Sequence, residues 1–153
     1  MGESVLSVAS LNSRYAAVID SNRLEQWPDF FVEQCLYKIT SADNVRDGHP
    51  AGIVYADSRA MLVDRVLALR KANIYERQSY CHVAGMPVIV DETGSEIRAE
   101  TPFVVIRTMR DGRMDLFATG VYQDRIDRET LCFRERIVVC DSSRFDTLVA
   151  IPL

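Results

Sequence analysis

Residues 79–142 hold four long runs of β character in succession, joined by short polar turns, and no other part of the chain restricts its fold so strongly. The first run spans Ser79 to Val90, and Asp91-Glu92-Thr93-Gly94-Ser95 supplies the Asp and Gly chemistry of a hairpin loop. The second alternates cleanly, with Ile97, Ala99, Thr101 and Phe103 on one face and Arg98 and Glu100 on the other. Arg110-Asp111-Gly112-Arg113 turns the chain, and Asp-Gly between β-rich runs predicts a type I′ hairpin with positive φ at both central residues. The third run, Met114 to Ile126, places Met114, Leu116, Ala118, Gly120 and Tyr122 together, opposite Asp115, Thr119, Gln123 and Arg125. Leu131 to Asp141 forms the fourth.

Strands of roughly 10 to 14 residues, against a usual 5 to 6, twist and curl. Gly85, Pro87, Pro102 and Gly120 stand where bends or bulges belong. The expectation is a strongly curved antiparallel sheet with a hollow side to fill. Phe103-Val104-Val105-Ile106 and Ile137-Val138-Val139-Cys140 are apolar on both faces, so the outer face also calls for cover.

With 153 residues the chain has the length of one domain, residues 1–153, and can bury a core without staples. Its net charge of −4, with scattered cations, lacks the basic stripe that nucleic acid demands. No apolar run reaches membrane-spanning length and no basic-then-apolar leader opens the chain, so the expected location is the cytoplasm. Cys35, Cys81, Cys132 and Cys140 show no Cys-x-x-Cys spacing and read as reduced core thiols.

Upstream, Val5, Val8, Leu11, Tyr15, Val18 and Ile19 recur at helical spacing over Ser4–Ile19. Leu24 to Gln34 reads as a second short helix carrying Trp27, Phe30 and Phe31 as core, with Pro28 in its first turn. Cys35–Thr40 and Gly52–Ala56 read as short strands around a polar connection, Ser41 to His49. Asp57 and Ser58 are good N-caps for a third helix, Arg59 to Ala72, in which Leu62, Val66 and Leu69 line one face and Arg70 and Lys71 close the last turn. The layout is α+β, with three helices filling the concave side of the sheet.

His82 is the one histidine in a regular element, alternating with Tyr80, Ala84 and Met86. On a concave face it meets Asp20, Tyr15, Tyr37 or Tyr55 and has the chemistry of a general base; the competing reading is a satisfied structural histidine. His49 sits in a loop beside Pro50. Two distant histidines make a self-contained zinc or iron site improbable, and Cys81 and His82, adjacent on a strand, point to opposite faces. No Gly-rich phosphate loop or Gly-x-Ser-x-Gly elbow is present.

Several stretches, in order, resemble the small (β) subunits of bacterial aromatic-ring-hydroxylating dioxygenases, a nuclear transport factor 2-like (NTF2-like, cystatin-like) cone. They are Tyr15-Ala16-Ala17-Val18-Ile19-Asp20; Glu25-Gln26-Trp27-Pro28 with Phe30-Phe31 and Cys35-x-Tyr37; and Ala56-Asp57-Ser58 with Met61-Leu62-x-Asp64-Arg65. Ala68-Leu69-Arg70, Ala72-Asn73-Ile74-Tyr75-Glu76-Arg77, Glu135 to Ser142 and Asp146-Thr147-Leu148 complete the set. Within the family the likeness runs first to the terephthalate 1,2-dioxygenase small subunits, then to those of salicylate 5-hydroxylase.

The resemblance implies an α3β3 assembly built on a β homotrimer. The partner α subunit would carry a Rieske 2Fe–2S cluster and a mononuclear Fe(II), fed by NAD(P)H through a reductase, for attack on an aromatic carboxylate. A Rieske centre needs two Cys and two His, and the oxygen-activating iron two His and a carboxylate. Neither pattern stands here, so this chain is expected to be a non-catalytic scaffold with no cofactor of its own. Its interface is expected from the outer sheet face at Val104, Ile106, Arg134, Arg136 and Val138, and from the apolar tail at Leu148, Ile151 and Leu153. Two alternatives stay open: a stand-alone isomerase, dehydratase or cyclase using His82 and Asp20, and a ligand-binding cone whose pocket Trp27, Phe30, Phe31 and Phe103 would fill.

Overall fold

A computed structural model describes residues 2–49, 52–72, 78–142 and 151–153. One seven-stranded sheet dominates it, with β1 (Phe31–Ser41), β2 (Val54–Ala56), β3 (Gln78–Ala84), β4 (Val88–Glu92), β5 (Glu96–Met109), β6 (Met114–Asp127) and β7 (Phe133–Cys140). The order across the sheet is β2-β1-β7-β6-β5-β3, and β4 also pairs with β5. Every pairing is antiparallel except β1 with β7, which runs parallel from Phe31↔Phe133 to Ser41↔Cys140. The sheet is therefore mixed where an antiparallel one was expected, because the fourth long run closes against a strand some hundred residues upstream instead of another hairpin neighbour.

The first long run is two strands. The chain leaves β5 at Gly85–Pro87 and returns to it, so Ala84 faces Phe103 and Val88 faces Glu100. Alternation in β5 holds as read: Ile97, Ala99, Thr101 and Phe103 are buried, while Arg98 and Glu100 are exposed. In β6 it does not hold throughout. A bulge opposite Val105/Ile106 shifts the register, so Ala118 and Tyr122 point inward while Met114 and Leu116 face solvent. The Asp-Gly turn also differs, since only Gly112 has positive φ, at 88°. Met109 N–H donates to the Arg113 carbonyl across a three-residue loop that ends on this left-handed glycine, the pattern that relieves strand twist with one extra residue.

Helix α1 (Gly2–Asp20) lays Val8, Leu11, Tyr15 and Ile19 on the concave face. Leu24–Phe30 winds as a 3-10 segment, shorter than the expected helix, and the chain passes directly into β1 at Phe31, so Phe31 to Gln34 are strand. The polar connection contains a short helix, α2 (Ala42–Arg46), capped by Ser41 Oγ accepting from Asn44 N–H. Helix α3 (Arg59–Lys71) begins at Ser58, whose Oγ accepts from Met61 N–H, and buries Leu62, Val66 and Leu69. Together these elements fill the cone. Cys35 and Cys140 are core thiols as expected, but Cys81 is exposed and Cys132 half-buried; all four are free.

Candidate functional site

At the wide hinge between helix and sheet, Asp20 at the end of α1 accepts from two atoms of His82 on β3, the backbone N–H at 2.8 Å and ring Nδ1 at 2.7 Å. The His82 side chain is 2% exposed and Nε2 is buried without a hydrogen-bond partner among the described residues. The structure thus brings His82 and Asp20 together as a clasp. It does not add the tyrosines: Tyr55 is exposed, and Tyr15 and Tyr37 meet around the tail segment instead.

The cone's centre holds a charged group that its position in the sequence did not disclose. Arg136 is 0% exposed and projects inward from β7. Its Nε and Nη2 donate to Asp124 at 2.9 and 3.0 Å, and Nη2 also donates to Asn12 Oδ1 at 2.5 Å. Asn12 in turn donates to Thr101 Oγ1 at 3.2 Å. The guanidinium lies 3.7 Å from the Tyr122 ring centre, 4.2 Å from Phe133 and 4.4 Å from Tyr15, a three-sided cation–π cage. Burial raises the Asp124 carboxyl above its ordinary range, and Arg136 opposes that rise. Burial alone would lower Arg136, yet the charge and hydrogen bonds of Asp124 hold it above the usual arginine value.

The expectation that Arg136 and Val138 lie on the outer face is therefore corrected: both are fully buried inside the cone, because β6–β7 register sets Asp124 opposite Arg136 and aims both inward. Ile151 and Leu153 are likewise packed within the chain, where Tyr15 and Tyr37 hold Leu153. Leu148 lies outside the described residues.

Val104, Ile106 and Arg134 are where they were expected, half-buried on the outer side. Arg134 pairs with Asp127 at 2.6 Å and Glu96 at 3.3 Å, and Arg125 joins Glu96 and Glu135 at 2.9 and 3.4 Å, giving a charge ladder across β5, β6 and β7. Toward the other end of β5 lies an apolar stripe. Register sets Val83 next to Val104 and Cys81 and Leu116 next to Ile106, with Val83 52% and Leu116 65% exposed. Sequence reasoning missed Val83 and Leu116; Leu116 was hidden by the bulge, which changes its face.

His49 is exposed, His82 is committed to Asp20, and among the described residues no group of three His, Cys, Asp or Glu side chains converges on one point. No helix of the described residues is long and apolar enough to cross a membrane.

A curved sheet closed over its concave face by helices is the SnoaL-like domain, and the profile of that family matches residues 3–136. The β1 subunit of the terminal oxygenase component of terephthalate 1,2-dioxygenase from a Comamonas species is 48% identical over 151 residues, covering 97% of each chain. The anthranilate 1,2-dioxygenase small subunit of Burkholderia cepacia is 39% identical over 145 residues, covering 94% of this chain and 90% of that one. A crystal structure described as an aromatic-ring-hydroxylating dioxygenase β subunit, from Novosphingobium aromaticivorans, superposes with a TM-score of 0.91 at 38% identity, over 99% of this chain and 98% of that one. The chain belongs to the small (β) subunits of aromatic-ring-hydroxylating dioxygenases.

Proposed function

We propose that this chain is the non-catalytic scaffold of an oxygenase that adds both atoms of O2 to an aromatic carboxylate. In this reading it forms a homotrimer that holds three α subunits. Each α subunit carries a Rieske 2Fe–2S cluster and a mononuclear Fe(II), which receive electrons from NAD(P)H through a reductase, and the assembly works in the cytoplasm with that reductant. The full-length likeness to the terephthalate and anthranilate enzymes' small subunits supports the carboxylate class of substrate.

The observation that carries the reading is the outer face of β3, β5 and β6. Cys81, Val83, Val104, Ile106 and Leu116 form a contiguous apolar stripe toward one end of β5, and the Arg125–Glu96–Arg134 ladder lies at the opposite end of that strand. An exposed apolar stripe suits the centre of a subunit contact, and each partner contributes about 800 Å2 to a standard one. The His82–Asp20 pair, by contrast, spends both Asp20 oxygens on His82 itself, which suits a structural clasp joining α1 to β3.

The test is to purify the tagged chain from its host grown on an aromatic acid, then measure mass and visible absorption. The expected product is a brown complex holding an iron–sulfur protein in equal stoichiometry, and Val83→Asp with Leu116→Asp should release that partner while leaving the chain's own melting temperature within a few degrees. A colourless homo-oligomer with nothing attached would overturn the reading, and would make loss of an isolated-chain activity in His82→Ala the decisive measurement.

A further inference from the structure

Along the outer face of β5 the alternate positions are Arg98, Glu100, Pro102, Val104 and Ile106, so the apolar stripe runs directly into two opposite charges on the same strand. Both charged residues are exposed. The other arginines of the strands each hold a carboxylate. Arg107 holds Asp115 at 2.9 Å, Arg125 holds Glu96 at 2.9 Å, Arg134 holds Asp127 at 2.6 Å and Arg136 holds Asp124 at 2.9 Å. Among the described residues Arg98 and Glu100 make no ion pair.

The strand register explains why Arg98 is left over. Its neighbour on β6 is Arg125, a like charge directly opposite, and Arg125 already draws on Glu96 and Glu135. On its other side Arg98 faces Asp91 of β4, next to a break in register, and the two side chains form no ion pair. Arg98 and Glu100 border a cleft of about 320 Å3 that Val90, Gln123 and Ile137 also line. Residues two apart on a strand stand about 7 Å from each other, so the cleft presents one cation and one anion at a fixed spacing beside apolar side chains. An outside carboxylate would relieve the like-charge contact between Arg98 and Arg125.

We propose that Arg98 and Glu100 are the polar anchor of the subunit contact, where the iron–sulfur partner sets a carboxylate against Arg98 and a cationic side chain against Glu100. The inference rests on reading the outer face as the interface, and it adds the charge pattern that the partner must carry. Charges placed this way beside an apolar contact select the partner and fix its register more than they add affinity.

The experiment uses the complex of the full chain with its iron–sulfur partner and measures the concentration at which it half-dissociates. Exchanging the two charges, Arg98→Glu with Glu100→Arg, keeps the net charge and is expected to raise that concentration about tenfold in about 0.05 M NaCl. In about 1 M NaCl, where the screening length is about 3 Å, the difference should fall below about twofold. Arg98→Lys keeps the charge and should stay within about twofold of wild type at both salt concentrations.

An exchange variant that dissociates like wild type in low salt would overturn the proposal, and so would a loss of the same size at both salt concentrations. Should the exchange variant not fold, Arg98→Gln decides by the same salt comparison. Val83→Asp with Leu116→Asp separates this inference from the reading beneath it. If that variant releases the partner and the charge exchange does nothing, the anchor alone fails; if neither releases it, the interface reading fails as well.

Discussion

Arg136→Met removes the cation at the centre of the cone and leaves Asp124 as a fully buried, unpaired carboxylate. Arg136 makes two hydrogen bonds to Asp124 and one to Asn12, and three aromatic rings enclose it. Breaking a buried pair from one side costs about 3–5 kcal/mol, since the remaining charge keeps its desolvation penalty. Contacts of the methionine sulfur with the rings return part of the lost cage energy, on the order of 1 kcal/mol. A domain of this size has roughly 5–15 kcal/mol to lose, and each kcal/mol moves the melting temperature by about 2–4 °C. The expected outcome is a fall of about 10 °C, measured by urea and thermal unfolding at pH 7.

Replacing both partners, Arg136→Met with Asp124→Leu, should recover most of the loss, because no charge is left stranded. The pH dependence of the single variant gives an independent sign. Removing Arg136 takes away the influence that lowers Asp124, so the folded-state pKa rises further above the unfolded 3.8. A carboxyl raised in the folded state contributes stability that is present below its unfolded pKa and lost as pH rises through its folded pKa. The deficit relative to wild type should therefore shrink as pH falls from 8 toward 5. A double variant as unstable as the single, or a deficit that grows on acidification, would refute the reasoning.

Two further outcomes are expected from the structure. A Cβ on Gly120 would lie 2.0 Å from the Val139 carbonyl oxygen, so Gly120→Ala forces β6 and β7 apart and should abolish soluble expression or lower the melting temperature by more than 10 °C, on the order of a severe overpacking change. Asp127, held at about 2 first by the Thr130 backbone N–H and then by Arg134, contributes stability present above its unfolded 3.8 and lost as pH falls toward 2; Asp127→Asn should flatten that acid limb in thermal scans.

Patterns confined to neighbouring residues were legible in the chain. Period-two alternation in β5 assigned Ile97 to Phe103 to the core, Ser58 announced α3, and the helical spacing of Val8, Leu11 and Tyr15 gave the inner face of α1. Each depends on backbone geometry that repeats within a few residues. The pairing of His82 with Asp20 was legible only as one choice among four partners, because residue types suggest chemistry without giving distance.

Contacts between distant segments needed the tertiary structure. A bulge in β6 reversed the faces of Met114 and Leu116, and one residue of slip is enough to do so. Arg136 reads as a surface charge in sequence, since its partners lie 12 and 124 positions away. Only the β6–β7 register and the seating of α1 bring Asp124 and Asn12 to it and make its burial tolerable. The tail is the same case: its apolar residues led to an expectation of burial against another subunit, and Ile151 and Leu153 are packed inside this one. Its place inside the cone depends on Tyr15, Trp27 and Tyr37 converging from three elements, a product of packing that no local pattern encodes.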